Sequence, residues 1–278
     1  MSDFKLNFLI IGGAKCATTW LQNSLQRSPD ITMPDPELHY FSRNYHKGAA
    51  WYADQFPRPL GTILGEKSNS YLTDPAAAAR IKAHTPDVKL IMQIRNPVER
   101  AYSDYCMLYR RGEVDADIAA HLDPARASSE RFISDGRYAH HVARFLDLFP
   151  AEQFLFLRFD DIQQHPVRQL KCLADHIGHQ GVLAAPLRSK VKDKSQAVVP
   201  KRLRSFLTPL RPLIDPVRNT RPVTAIRSLV VRPTVHPKLS SDLRRALESY
   251  YAPEVETLAR VTGLDLERWM TQPSQRMI

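Results

Sequence analysis

Up to about residue 178, short apolar runs alternate with stretches whose apolar residues recur every three or four positions. The runs are NFLII (7–11), TILGE (62–66), VKLIMQI (88–94) and QFLFLRF (153–159). Runs apolar on both faces are what strands of a parallel sheet require when helices cover both sides. Between them the period lengthens. A helix is predicted from Thr18 to about Arg27, with Trp20, Leu21 and Leu25 on one face. TDPAAAARIKAH predicts a helix with Asp74 as N-cap and Pro75 at its first position, and RNPVERAYSDYCMLYRR repeats that arrangement with Asn96 and Pro97. Further helices are predicted over 137–148 and 166–177. The C-terminal region, 238–270, reads as helix, a break near Pro253, then helix. No repeat at solenoid spacing occurs. The alternation predicts an α/β fold with a central, mostly parallel sheet flanked by helices in three layers. The 278 residues suffice for it as one domain.

The first run leads into GGAKCATTWL, residues 12–21. A strand that ends in glycines and opens a helix brings unpaired N–H groups and the positive helix end to the carboxyl edge of the sheet, where an anion can sit. Gly12 and Gly13 allow a tight turn, Lys15 adds a mobile cation, and Thr18 and Thr19 add hydroxyls. The nucleoside triphosphatase P-loop, GxxxxGK[ST], is not matched, because no Gly precedes Lys15 and no Ser or Thr follows it. The strand KLIMQI also ends in Arg95 and not in the Asp that would hold Mg²⁺. An arginine there offers a bidentate site for a second anion.

Charge sharpens this picture and also divides it. The chain carries 39 Lys and Arg against 29 Asp and Glu, a net +10. Residues 188–232 alone hold twelve Lys/Arg and two Asp, which equals the whole excess. The prolines of this segment argue against long regular elements outside 200–208, and its charge reads first as that of a solvated loop. The three cysteines, Cys16, Cys106 and Cys172, are far apart and form no CxxC, so a reducing compartment is expected. The N-terminal apolar run is too short for a signal peptide, and no stretch approaches the ~18 apolar residues of a membrane span. A soluble, cytoplasmic protein is expected. His140, His141, His165, His176 and His179 lack partners at ligand spacing, so no metal site is expected.

GGAKCATTWL together with IRNPVERAYSDY resembles the sulfotransferases that use 3′-phosphoadenosine 5′-phosphosulfate (PAPS). These enzymes carry a 5′-phosphosulfate loop of the form GxxKxGTTxL and a later 3′-phosphate motif of the form RxPxxRxxSxY. PELHYFSRNYHKGAAWYADQFP (36–57) and GEKSNSYL (65–72) are similar to the heparan sulfate N-sulfotransferase branch and its bacterial relatives. The resemblance covers residues 7 to about 178. It implies a P-loop-like fold and transfer of a sulfuryl group from PAPS, with 3′-phosphoadenosine 5′-phosphate (PAP) as product and no metal. It also implies that Gly13, Ala14, Lys15, Cys16, Ala17, Thr18 and Thr19 hold the 5′-phosphosulfate and that Arg95 and Ser103 hold the 3′-phosphate. Ala17 stands where the motif has Gly, which is tolerable only if the backbone there keeps a negative φ.

The resemblance further implies a base just before an aromatic pair, which falls on Glu37, and a cleft lysine, which falls on Lys67. His39 competes as base, since other branches use His, and in an extended segment residues 37 and 39 face the same side. Met107 replaces a histidine frequent in this branch, which weakens any inference about the acceptor. The variable basic segment, about 188–237, would close over the cofactor through Lys192, Lys194 and Ser195, and its remainder would meet an anionic glycan or a membrane surface. The acceptor implied is a carbohydrate or lipid-linked glycan. Two alternatives remain from the residues alone. A nucleotide or small-molecule kinase would want the GK[ST] and strand-end Asp that are missing. A basic nucleic-acid-binding protein would explain the charge, but no recognition helix or RNP-type aromatic motif accompanies it, and no nucleic-acid partner is expected.

Overall fold

The computed structural model describes residues 4–59, 61–186 and 235–270. Lys192, Lys194, Ser195 and most of the basic segment lie outside the described residues. Among the described residues five parallel strands form the sheet: β1 (Phe8–Gly12), β2 (Ile31–Thr32), β3 (Ile63–Lys67), β4 (Lys89–Ile94) and β5 (Phe154–Arg158). Four of them are the apolar runs. The edge strand β2, only two residues long, has no periodicity to read. The order is β2-β3-β1-β4-β5, so the chain builds one side of β1, then crosses to the other at β4. That reversal makes the carboxyl ends of β1 and β4 the topological switch point, where open parallel sheets hold ligands.

Alternate residues of the strands enter two separate cores. Phe8 and Ile10 of β1 and Ile91 of β4 pack against α1 (Thr18–Leu25) and against α10 (Pro166–Ile177), through Leu21, Leu25, Leu170, Leu173 and Ile177. Leu9, Ile11, Leu90 and Met92 point to the opposite layer. That layer includes α2 (Gly48–Asp54), α3 (Ala77–His84), α4 (Pro97–Arg110) and α8 (Tyr138–Leu146). Removing each such aliphatic side chain from water contributes about 1.5–3 kcal/mol, which fixes the three layers more firmly than any surface contact. Between α4 and α8 run three short helices, α5 (Ile118–Leu122), α6 (Pro124–Ala127) and α7 (Arg131–Ser134), which the apolar period does not predict. The first two carry a local signal in their caps: Asp117 and Asp123 accept hydrogen bonds from Ala120 N and Ala125 N, whereas α7 has no side-chain cap. A further short helix, α9 (Phe159–Gln164), links β5 to α10.

Two predicted boundaries need correction. Asp74 accepts from Ala76 N at 2.9 Å, but this closes a turn, and regular helix starts at Ala77 and not at Pro75. Pro253 does not break the C-terminal helix, since α11 runs through it from Ser241 to Thr262. The proline removes one intrahelical bond, but Leu247, Tyr251, Val255 and Leu258 continue one buried stripe across it, and Tyr251 Oη donates to Ile133 O at 2.8 Å. Packing on both sides outweighs the local defect. The four-residue α12 (Glu267–Met270) follows. At the start of α4 the prediction holds: Asn96 accepts from Val98 N and Glu99 N, with Pro97 in the first turn. Among the described residues no helix is long and apolar enough to cross a membrane.

Candidate functional site

The loop after β1 is held from three sides. Gly13 N donates to Gln93 O of β4 at 2.7 Å, and Arg95 Nη1 donates to Lys15 O at 3.4 Å. The buried Cys16 Sγ lies 3.4 Å from Tyr138 Oη of α8. A Cβ on Gly13 would stand 3.3 Å from both Cys16 Sγ and the Tyr138 ring, so a side chain there would require one of them to give by a few tenths of an ångström. Within this frame Lys15 and Ala17 take positive φ, 67° and 63°. The expectation of negative φ at Ala17 is therefore wrong. The motif's glycine position keeps its left-handed backbone even where the residue is alanine, because the surrounding contacts over-determine the turn. Reversals of backbone hand of this kind aim N–H groups into an anion-binding concavity. The first N–H groups of α1, from Thr18 and the exposed Thr19, have no intrahelical acceptor.

Cations gather on the same loop. Burial lowers the Lys15 ammonium's pKa; Asp104 opposes that shift, while Arg95, Arg110 and Arg111 reinforce it. Lys15 Nζ donates to Met107 Sδ at 3.4 Å. Ser103, Met107, Arg110 and Arg111 recur at the three- and four-residue spacing of one face of α4 and its end, so that face is the loop's opposite wall. Arg95, at the end of β4, lays its guanidinium over the Phe159 ring at 4.5 Å. Arg100, the second arginine of the same motif, is fully buried beside Asp104, which Arg131 also binds at 2.9 Å. Its place is to anchor α4, not to meet a ligand.

A second cluster sits at the carboxyl end of β3. Lys67, only 4% exposed, pairs with Glu37 Oε1 at 2.8 Å, and Glu37 itself stays 24% exposed. Asn69 grips the same carboxylate twice, from its backbone N at 2.9 Å and its Nδ2 at 3.0 Å. Asn69 Oδ1 accepts from Thr18 Oγ1 at 2.9 Å, which joins this cluster to the loop. His39 has a positive φ of 50°, so the segment is not extended, and the expected same-face alternation does not apply. The two candidate bases are nevertheless neighbours, with His39 Nε2 3.9 Å from Glu37 Oε2 and His39 Nδ1 2.7 Å from Ser70 Oγ. Burial lowers the His39 pKa, Glu37 opposes this, and Arg43 and Lys67 reinforce it, so the neutral ring is favoured. Below the cluster, Glu66 is buried among Tyr52, Tyr71 and Ser68, with Tyr71 Oη donating at 2.6 Å and Tyr52 Oη at 3.2 Å. Burial pushes the Glu66 carboxyl up to about 7 against the pull of those three donors.

The sulfotransferase domain family matches residues 5–199. The chain belongs to the sulfotransferase family. Heparan sulfate glucosamine 3-O-sulfotransferase 3B1 of Mus musculus is 31% identical over 263 residues, covering 92% of this chain and 63% of that protein. The bifunctional heparan sulfate N-deacetylase/N-sulfotransferase 1 of Caenorhabditis briggsae is 32% identical over 195 residues, covering 60% of this chain and 22% of that one. The chain thus spans under two thirds of the length of these relatives. The fold is that of a sulfotransferase crystal structure from Alicyclobacillus acidocaldarius, with a TM-score of 0.71 and 24% identity over 97% of this chain and 100% of that one.

In this sulfotransferase fold the predicted residues fall into two groups. Gly13, Ala14, Lys15, Cys16, Ala17, Thr18 and Arg95 surround one loop, with Ser103 on the helix opposite; Glu37, His39 and Lys67 form the second cluster. What the sequence reading missed is the residue between them, Asn69, together with Arg110 and Arg111. The signal for Asn69 was its place just past a parallel strand, the edge that gave Lys15 and Arg95. Among the described residues no group of three His, Cys, Asp or Glu side chains could hold a metal ion.

Proposed function

We propose that this sulfotransferase-family chain moves a sulfuryl group from PAPS to a carbohydrate hydroxyl or amine. The carrying observation is that Lys15 and Arg95, reached from the ends of β1 and β4, meet at the switch point, with Arg110 and Arg111 close enough to act on Lys15 electrostatically. Such a set of cations and backbone donors suits a ligand with two separated phosphate groups. The Lys15 side of the site would take the 5′-phosphosulfate, and Arg95 with Ser103 the 3′-phosphate.

In the reaction the acceptor oxygen or nitrogen attacks sulfur, a new S–O or S–N bond forms, and the bond from sulfur to the 5′-phosphate oxygen breaks. The leaving phosphate gains negative charge, which Lys15 neutralises, and the acceptor's proton passes to Glu37. Lys67 holds Glu37 in place from one side and Asn69 from the other. The base is placed at Glu37 because Lys67 and both donors of Asn69 fix the direction of a carboxylate that stays partly exposed, with His39 Nε2 beside it and His39 Nδ1 bonded to Ser70. The acceptor class rests on relatives named for heparan sulfate, one an O-sulfotransferase and one an N-sulfotransferase.

Sulfuryl transfer from labelled PAPS to N-desulfated heparan, which offers both amines and hydroxyls, tests the reading. A positioned base contributes roughly 10²–10⁴ in rate, so Glu37→Ala should lower kcat at least a hundredfold while PAP affinity changes less than twofold. Full activity in Glu37→Ala would move the base to His39 or elsewhere.

A further inference from the structure

The bond network around Asn69 carries more than a contact. The Glu37 carboxylate only accepts hydrogen bonds, so the amide of Asn69 must turn its Nδ2 toward Glu37, and its Oδ1 is left facing Thr18. That Oδ1 accepts the Thr18 hydroxyl hydrogen. A phosphate or sulfuryl oxygen also only accepts, and Thr18 has one hydroxyl hydrogen to give. The Thr18 hydroxyl is therefore able to serve Asn69 or an anion in the loop, but not both.

The register of the chain makes this arrangement rigid. Ser68 N donates to Ile10 O at 3.1 Å and Leu72 N to Ile11 O at 2.9 Å, so the turn that carries Asn69 is pinned to the very strand that opens the anion loop. The backbone N of Asn69 holds Glu37 Oε2 independently of its side chain. A change at Oδ1 thus leaves Asn69 in place and alters only how its amide is held.

We infer that Asn69 is a positioning residue that aligns Glu37 and couples it to occupancy of the loop, Thr18 releasing the Asn69 carbonyl when an anion binds. The inference rests on the PAPS reading. When the loop is occupied, the amide is held by Glu37 alone, and the donor half of the site is thereby linked to the half that takes the acceptor's proton. No catalytic contact by Asn69 is needed.

The test uses the whole protein and the side-chain amide ¹⁵N–¹H resonance of Asn69, assigned by its loss in Asn69→Asp. Titration with PAP should move this resonance saturably in the wild type and in Thr18→Ser, which keeps the hydroxyl. In Thr18→Val without PAP the resonance should already sit at the wild-type bound position. Asn69→Ala, which also frees the Thr18 hydroxyl for the anion, should lower kcat on N-desulfated heparan about tenfold without raising KM for PAPS. A wild-type resonance that stays still while PAP binds, or a Thr18→Val resonance at the unliganded wild-type position, would overturn the coupling and leave the functional reading intact. Failure of the wild type to bind PAP would overturn that reading and the coupling with it.

Discussion

Lys15 and Ala17 show how little a single side chain decides about its own backbone. Both hold positive φ in a loop tied to β4, α8 and Arg95, and an L-residue there costs on the order of 1–2 kcal/mol. The same ties make the strain bearable and aim the loop's donors. Ala17→Gly should therefore leave PAP affinity unchanged and raise stability by up to about 1 kcal/mol, less whatever the glycine adds to unfolded-chain entropy. Ala17→Val, branched at Cβ, should lower it by at least as much. Thermal unfolding of the two variants checks this, and equal melting points would contradict the strain. The sequence showed that Ala17 departs from the loop motif, but not which way the backbone would go. That answer belongs to Tyr138 and Arg95, which are far away in sequence.

At the scale of elements, the ends of β1, β3 and β4 matter more than their middles. The apolar runs were legible because a strand buried on both faces has no polar residue to spare, and Asn96–Pro97 was legible because capping chemistry is local. The continuous α11 was not, because the packing that carries it past Pro253 comes from α8 and α7. Nor was the end of β3 fully legible, since Glu66 is a carboxylate in what the pattern reads as plain strand. Between its ordinary 4.5 and its folded value of about 7, Glu66 binds its proton more tightly in the folded chain than in the unfolded one. Its contribution is full below pH 4.5 and is lost as pH rises to about 7, by as much as about 3 kcal/mol. Glu66→Gln, which does not titrate, should thus gain stability relative to wild type between pH 5 and pH 8. Urea unfolding at both pH values measures the difference, and parallel losses in the two proteins would contradict it.

Across the whole molecule, one crossing of the chain organises the site. Because β4 lies on the far side of β1 from β3, the loop after β1 has Arg95 on one flank and the Lys67–Asn69 turn on the other. The cation set and the carboxylate set are therefore neighbours without being close in sequence. The family's two phosphate motifs made the first set readable. The second became readable only in part, as Glu37, His39 and Lys67, because Asn69 acts through contacts that no local pattern encodes. The net charge equals that of residues 188–232, the basic segment, whose proposed partner beyond the cofactor is an anionic surface. Removal of residues 201–232 should abolish cosedimentation with anionic vesicles, and equal, negligible binding by both proteins would dispose of a membrane contact.

A ligand with two phosphate groups, held at the switch point as proposed, should be visible in thermal stabilisation measured without metal. PAP should raise the melting point well above AMP or ATP at equal concentration, and Arg95→Ala should erase the preference for PAP over AMP. Equal stabilisation by PAP and AMP in the wild type would contradict it.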